Sequence, residues 1–232
     1  MENNQNQEVQ NQVQFPLIGT RAPEFKANTT HGEIHFPNDY EGRWVILFSH
    51  PADFTPVCTT EFMTFSDRYQ EYQDVNTDLV GLSIDSVTAH MGWVDSIKDI
   101  EWGDMKNIEV PFPVIDDVKR EVAMKYGMLQ GESDTATVRA VFFIDPEGII
   151  RTILYYPASL GRNFDEIYRI LIGLQKTDEE GVALPADWAP GKDVLLPPPA
   201  KADEVQPRLD MDGKDGVDVK SWYLTFKEDK DD

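Results

Sequence analysis

The stretch of this sequence best suited to chemistry is SHPADFTPVCTTEF, residues 49–62, which holds Cys58, the only cysteine among 232 residues. A cysteine attacks other molecules as its thiolate, and its neighbours decide how readily that anion forms. Pro56 precedes it by two positions. Proline is favoured at the first position of a helix, where its missing N–H has no intrahelical partner to lose. With Pro56 there, Cys58 falls in the first helical turn, where unpaired backbone N–H groups and the positive end of the helix dipole favour an anion. The competing reading is a buried, inert cysteine on the core face of that helix, since free cysteines are often buried.

Two other thiol chemistries fit poorly. Thr55 stands where a Cys-x-x-Cys pair would place its second sulfur, so dithiol exchange is absent. A zinc site needs three or four protein ligands, and Cys58 has only the scattered His31, His35, His50 and His90 to join it. No metal and no cofactor is expected.

The elements that must position Cys58 can be read from periodicity. RWVILFSHP predicts a buried strand, followed by a loop and a helix from about Pro56 to Val75 with Phe62, Phe65, Tyr69 and Tyr72 on one face. DLVGLSID predicts a second buried strand, SVTAHMGWVDSIKDI an amphipathic helix, FPVIDD a strand, and DDVKREVAMKYGM a helix ending near Gly127. In RAVFFIDPEGIIRTILYY two β-rich runs flank Asp-Pro-Glu-Gly, a turn signature. NFDEIYRILIGLQK opens with Asn163 and Glu166 in the N-x-x-E pattern of a helix start. A βαβαβ run, a hairpin and a closing helix match a thioredoxin-like α/β layout, a mixed central sheet with helices on both faces. The first 14 residues are Asn/Gln-rich and predict a disordered tail, so the domain is expected over 15–176. Residues 177–232 are rich in Pro, Gly and Asp yet keep Trp188, Leu195, Leu196, Trp222, Tyr223 and Phe226. A free linker needs no such aromatics, so this reads as an arm that packs on something, with few regular elements of its own.

Composition narrows the partners. A net charge of −21 disfavours nucleic acid and anionic membrane surfaces. No apolar run is long enough to span a bilayer, and MENNQNQEVQNQVQ lacks the basic start and apolar stretch of a signal peptide. One cysteine excludes an internal disulfide. A reducing cytoplasm is the expected compartment.

PADFTPVC has the Pro-x-x-x-Thr-x-x-Cys pattern of peroxiredoxins, and SHPADFTPVCTTE is most similar to their one-cysteine, six-type branch. The likeness continues through TVRAVFFIDPEG and GRNFDEIYRIL into the arm, over about residues 15 to 226. The resemblance implies that Cys58 is the peroxidatic cysteine, whose thiolate attacks a peroxide oxygen and becomes a sulfenic acid. It implies that the Thr55 hydroxyl holds the peroxide, that Pro51 screens the site from water, and that Arg139 lies beside the thiolate and the O–O bond. Glu61 and Arg162 match the pair that holds that arginine, and His50 matches a histidine typical of this branch. Each has a plainer reading: Thr55 as an ordinary N-cap, Pro51 as a strand terminator, Glu61 and Arg162 as a surface ion pair, His50 as a lone histidine at a strand end.

The implied activity is reduction of hydrogen peroxide and alkyl hydroperoxides, with regeneration by an external thiol. The implied assembly is a homodimer whose arm crosses onto its partner, built into a ring of five dimers. An oligomeric holdase chaperone is the alternative from another class. The sequence also departs from the family. Related bacterial and archaeal arms carry cysteines where DVKSWYLT here has Val219 and Thr225, so the arm supplies no resolving thiol. The Gly-x-Ser-x-Gly segment linked with phospholipase activity in animal members is missing, and HGEIHFPNDY occupies that region.

Overall fold

The computed structural model describes residues 15–129 and 134–229; the 1–14 tail lies outside the described residues. The chain forms two compact units, one ending at Arg162 and the other beginning at Asn163.

The first unit is built on a seven-stranded sheet in the order β2-β1-β5-β4-β3-β6-β7. Its strands are β1 (Phe25–Thr29), β2 (Gly32–Phe36), β3 (Trp44–Ser49), β4 (Thr77–Ser83), β5 (Val114–Asp116), β6 (Arg139–Ile144) and β7 (Ile150–Tyr156). β3 runs parallel to β4 and β4 to β5, while β6 returns antiparallel to β3. WVILFS of β3 is buried at every position, the pattern of a central strand covered on both faces. The hairpin at Asp145–Gly148 forms as expected: the Asp145 carbonyl accepts from Gly148 N–H at 2.8 Å, and Gly148 takes a φ of 78°.

Both faces of the sheet carry helices. Val45 and Leu47 share one core cluster with Val80, Leu82, Phe142, and Val122 and Ala123 of α4 (Glu121–Lys125). On the other face Phe48 packs against Phe62 and Phe65 of α1 (Pro56–Asp67), with ring centroids 5.6 and 4.4 Å apart. Trp93 of α3 (Val87–Ile97) closes on Phe62 at 4.5 Å. Burial of each such ring contributes roughly 1.5–3 kcal/mol, so this aromatic cluster anchors α1 to the strand it follows.

Three elements differ from expectation. The single helix to Val75 is two, α1 and α2 (Tyr69–Asp74), interrupted at Arg68. The hydroxyls of Thr59, Thr60 and Thr64 donate back to Thr55, Val57 and Thr60 carbonyls along α1, a pattern that bends helices. The helix near Gly127 begins only at Glu121, because Arg120 sits at a left-handed φ of 62° and Asp117 caps the new start through Val122 and Ala123 N–H. The β1–β2 hairpin is an addition to the elements expected from the sequence.

In the second unit, α5 (Phe164–Glu180) starts where predicted, with Asn163 Oδ1 accepting from Glu166 N–H at 3.1 Å, and ends at left-handed Gly181. The arm holds more regular structure than its composition suggested. β8 (Val194–Leu195), β9 (Val217–Ser221) and β10 (Leu224–Lys227) form a small sheet in the order β8-β10-β9, with a short α6 (Val205–Leu209) between β8 and β9. Val219 and Thr225, where relatives carry cysteines, face each other across β9 and β10. Trp188 is buried and donates its Nε1–H to the Lys192 carbonyl at 2.9 Å.

Candidate active site

The end of β3 and the start of α1 meet at the carboxyl ends of the parallel strands, where open α/β sheets place their ligands. Ser49 ties this corner to β6: its hydroxyl donates to the Val138 carbonyl at 2.6 Å and accepts from Ala140 N–H at 3.0 Å. Arg139 lies between those two residues. Thr55 is the N-cap residue, Pro56 opens the helix, and Cys58 is its third residue, fully buried.

Thr55 does not cap with its side chain. Its hydroxyl donates to the Ala52 carbonyl at 2.8 Å, which uses its hydrogen and leaves its lone pairs to accept. Phe54 beside it adopts a positive φ of 55°, a costly conformation for an aromatic residue. The bond from Thr55 and one from Asp53 N–H to Asp85 at 3.0 Å brace that turn on either side. Pro51 is buried at its base.

Two arginines converge on one carboxylate. Arg139 Nη1 lies 3.3 Å from Cys58 Sγ and 2.6 Å from Glu61 Oε2. Its Nη2 donates to the Ala158 carbonyl at 2.8 Å. Glu61 also accepts from Arg162 through Nε at 3.0 Å, Nη2 at 2.6 Å and the backbone N–H at 2.9 Å. Arg162 Nη1 reaches the Ser49 and Ala140 carbonyls at 3.1 and 3.2 Å, and its guanidinium lies 5.1 Å from the Phe48 ring centre. The Glu61 and Arg162 side chains are 2% and 0% exposed, so they are no surface ion pair. Two guanidinium charges against one carboxylate leave one positive charge in excess. It sits against the sulfur, where an anion would complete the balance.

His50 and His90 are not scattered, as the sequence suggested. Both meet Asp53: His50 Nε2 lies 2.8 Å from Oδ1 and His90 Nδ1 2.8 Å from Oδ2. All three are buried, with ring nitrogens and carboxylate within 4.8 Å of one another. His90 Nε2 reaches the Ile115 carbonyl at 3.0 Å, and the Thr137 hydroxyl donates to the His50 carbonyl at 2.6 Å. Burial pushes the His50 imidazole below its ordinary pKa, outweighing the upward pull of Asp53. Burial alone would raise the Asp53 carboxyl, but hydrogen bonds from His50 and His90 outweigh it and hold the group below its ordinary value.

Every candidate site residue from the sequence thus lies at this corner or within the ion cluster. Ser49, Asp53, His90, Thr137 and the Ala158 carbonyl were missed. Only His90 carried a readable signal: with Trp93 and Ile97 it follows the three-then-four spacing of the buried face of α3.

A mixed α/β sheet with one buried thiol in a helix's first turn, pressed by a guanidinium, defines a thiol-based redox protein. Comparisons with known proteins name the family. Residues 18–153 match the AhpC/TSA family, and residues 173–210 match the C-terminal domain of 1-Cys peroxiredoxin. A Methanosarcina mazei peroxiredoxin is 56% identical over 217 residues, covering 93% of this chain and 99% of that protein. The structure of a yeast mitochondrial 1-Cys peroxiredoxin superposes with a TM-score of 0.79 at 40% identity, over 92% of this chain and 99% of its own. That of a cysteine-to-serine mutant of the Arenicola marina peroxiredoxin 6 gives 0.79 at 33% identity, over 93% and 99%. The chain belongs to the peroxiredoxin family: it is a thiol peroxidase with a thioredoxin-like fold, and its single cysteine fits a one-cysteine mechanism.

Proposed function

We propose that Cys58 reduces hydrogen peroxide and small organic hydroperoxides through a sulfenic acid that an external thiol returns to the reduced state. The observation that carries this reading is the contact of Arg139 Nη1 with Cys58 Sγ at 3.3 Å. The thiolate attacks one peroxide oxygen, an S–O bond forms, the O–O bond breaks, and water or an alcohol leaves after taking a proton. One thiol then condenses with the sulfenic acid, releasing water and forming a mixed disulfide. A second thiol cleaves it, restoring Cys58 and leaving as a disulfide.

In this scheme Thr55 Oγ accepts the peroxide O–H, since its own hydrogen is committed to Ala52. Arg139 stabilises charge on the departing oxygen, Glu61 and Arg162 hold Arg139, Pro51 screens the site, and His50 borders it. Lowering a thiol's basicity raises its thiolate fraction but weakens the nucleophile, with a Brønsted coefficient of about 0.4–0.5 in disulfide exchange. Alignment and charge stabilisation therefore supply the larger part of the rate.

The yeast relative's thiol is resolved via glutathione/thioredoxin systems, which supports an external thiol here. Residues 177–232 act as an arm on a partner subunit in a homodimer, built into a ring of five dimers. Support comes from Trp222 and Tyr223, 42% and 62% exposed at the β9–β10 turn. Among the described residues no helix is long and apolar enough to cross a membrane, and the proposed compartment is the cytoplasm. Cys58→Ser tests the assignment: peroxide consumption with a thiol donor should vanish while the circular dichroism spectrum stays native. Retained turnover in that variant would refute it.

A further inference from the structure

Arg139 is fixed by more than its ion pair. Glu61 holds one nitrogen, Nη1, at 2.6 Å, and that contact alone leaves the planar guanidinium free to pivot about it. The pivot is stopped on the opposite edge, where the Ala158 carbonyl accepts from Nε at 3.2 Å and from Nη2 at 2.8 Å. With all three nitrogens held, the plane of the group is set, and Nη1 meets Cys58 Sγ at 3.3 Å within that plane.

The carbonyl belongs to a turn, Pro157-Ala158-Ser159-Leu160, that carries no charge and is exposed throughout, although the arginine beneath it is only 2% exposed. Leu160 N–H donates to the Pro157 carbonyl at 3.1 Å, the closing bond of a β-turn. The middle peptide of that turn carries the Ala158 carbonyl, which the closing bond does not use. The turn therefore sets the direction of this oxygen and leaves its lone pairs to Arg139. The chain is fastened on both sides. Tyr156, the last residue of β7, pairs in register with Arg139 of β6. Beyond the turn, Arg162 N–H donates to Glu61 Oε1 at 2.9 Å, and a Cβ on Gly161 would sit 3.4 Å from Val57 Cγ1, next to the cysteine.

We propose that the Pro157–Leu160 turn is the positioning element of Arg139, its Ala158 backbone carbonyl setting the angle at which the guanidinium meets the sulfur and the peroxide. This rests on the peroxidase reading, because the step it governs is O–O cleavage at Cys58. A loosened turn lets the guanidinium pivot about Glu61 but keeps its charge at the same corner. Stabilising the departing oxygen depends on alignment and should suffer, whereas the thiolate should be little affected. The role is carried by backbone, so no side chain in Pro-Ala-Ser-Leu marks it.

Two substitutions loosen the turn without altering Arg139, Glu61 or Cys58. Pro157→Gly frees its first residue, and Leu160→Pro removes the N–H that closes it. In either variant of the full chain the peroxide rate should fall by about tenfold, while iodoacetamide alkylation stays within about twofold. In an Arg139→Ala background the same substitutions should change the peroxide rate by less than about twofold, because the residue they act through is gone. An equal cost in both backgrounds, or equal slowing of both reactions, would overturn the proposal. If neither variant folds, nitrogen NMR of the native chain decides. Arg139, assigned by the loss of its signals in Arg139→Ala, should show slowly exchanging Nε–H and separate Nη signals, and one averaged Nη signal would overturn the proposal. A native chain with those separate signals that consumes no peroxide would refute the peroxidase reading and leave the turn's hold on Arg139 standing.

Discussion

Replacing Arg139 with alanine separates two accounts of how this site works. Arg139 makes three kinds of contact: 3.3 Å to the sulfur, 2.6 Å to Glu61, and 2.8 Å to the Ala158 carbonyl. If its role is to stabilise charge on the oxygen that leaves, its loss removes one preorganised donor, which costs about 10²–10³ in rate, or roughly 2.7–4 kcal/mol. Alkylation by iodoacetamide breaks no O–O bond, so it should feel only the change in thiolate population and fall by no more than about tenfold. The fold should survive. Breaking a buried ion pair costs about 3–5 kcal/mol when the remaining charge is stranded, but Glu61 keeps three bonds from Arg162, so the cost should lie at or below that range. Stopped-flow tryptophan fluorescence gives the peroxide rate, mass-resolved alkylation the comparison, and thermal melts the control. Arg139→Lys should fall between native and alanine, because one ammonium cannot reach the Cys58–Glu61 pair and the Ala158 carbonyl together, as Nη1 and Nη2 do. Equal fractional losses in both reactions would reduce Arg139 to an effect on the thiolate alone and refute the reasoning.

With excess peroxide and no thiol, intact mass should show one, then two, then three oxygens added at Cys58, because the chain holds no second thiol to form a disulfide; a dominant Cys58–Cys58 dimer would overturn this. Acid should weaken the native fold more steeply than Asp53→Asn. The Asp53 carboxyl is held below its ordinary 3.8, so below that value the unfolded chain takes up a proton the folded one resists, and stability present above 3.8 is lost as pH falls through the folded value. Urea titrations at about pH 5 and pH 3 measure the difference, with a limiting slope of about 1.4 kcal/mol per pH unit, and parallel losses in both proteins would refute it. Deleting residues 177–232 should shift the light-scattering mass from dimer or larger to monomer, and a monomeric full-length chain at micromolar concentration would refute the arm's proposed role.

The thiol's setting was legible because proline and helix chemistry are local: Pro56, two residues before Cys58, is enough to place the sulfur in a first turn. The β6–β7 hairpin and the Asn163 cap were legible for the same reason. The β1–β2 hairpin was missed although its signal was present: Phe25 and Ala27, then Ile34 and Phe36, alternate with polar residues about a turn at Gly32. Arg139, Glu61 and Arg162 could be named only through family resemblance. They lie 81, 78 and 101 residues apart in their bonded pairs, and no periodicity links such positions. Asp53 and His90, 37 residues apart, escaped even that.

The same distance between local and collective properties explains how so acidic a chain keeps an electropositive thiol. A net charge of −21 describes the whole sequence, and charges exposed to solvent are screened beyond roughly 8 Å at physiological salt. Around Cys58 the charges are few and sealed from water: Arg139 and Arg162 against Glu61, each at most 2% exposed in its side chain. Salt screening hardly reaches them, so added salt should do little to weaken their excess positive charge beside the sulfur. Nor can the two arginines part to relieve their repulsion. Glu61 bonds both, and the Ser49, Ala140 and Ala158 carbonyls hold their outer nitrogens. The same bonds hold Arg139 Nη1 at 3.3 Å from the sulfur, so its charge stays where an anion at this corner would meet it.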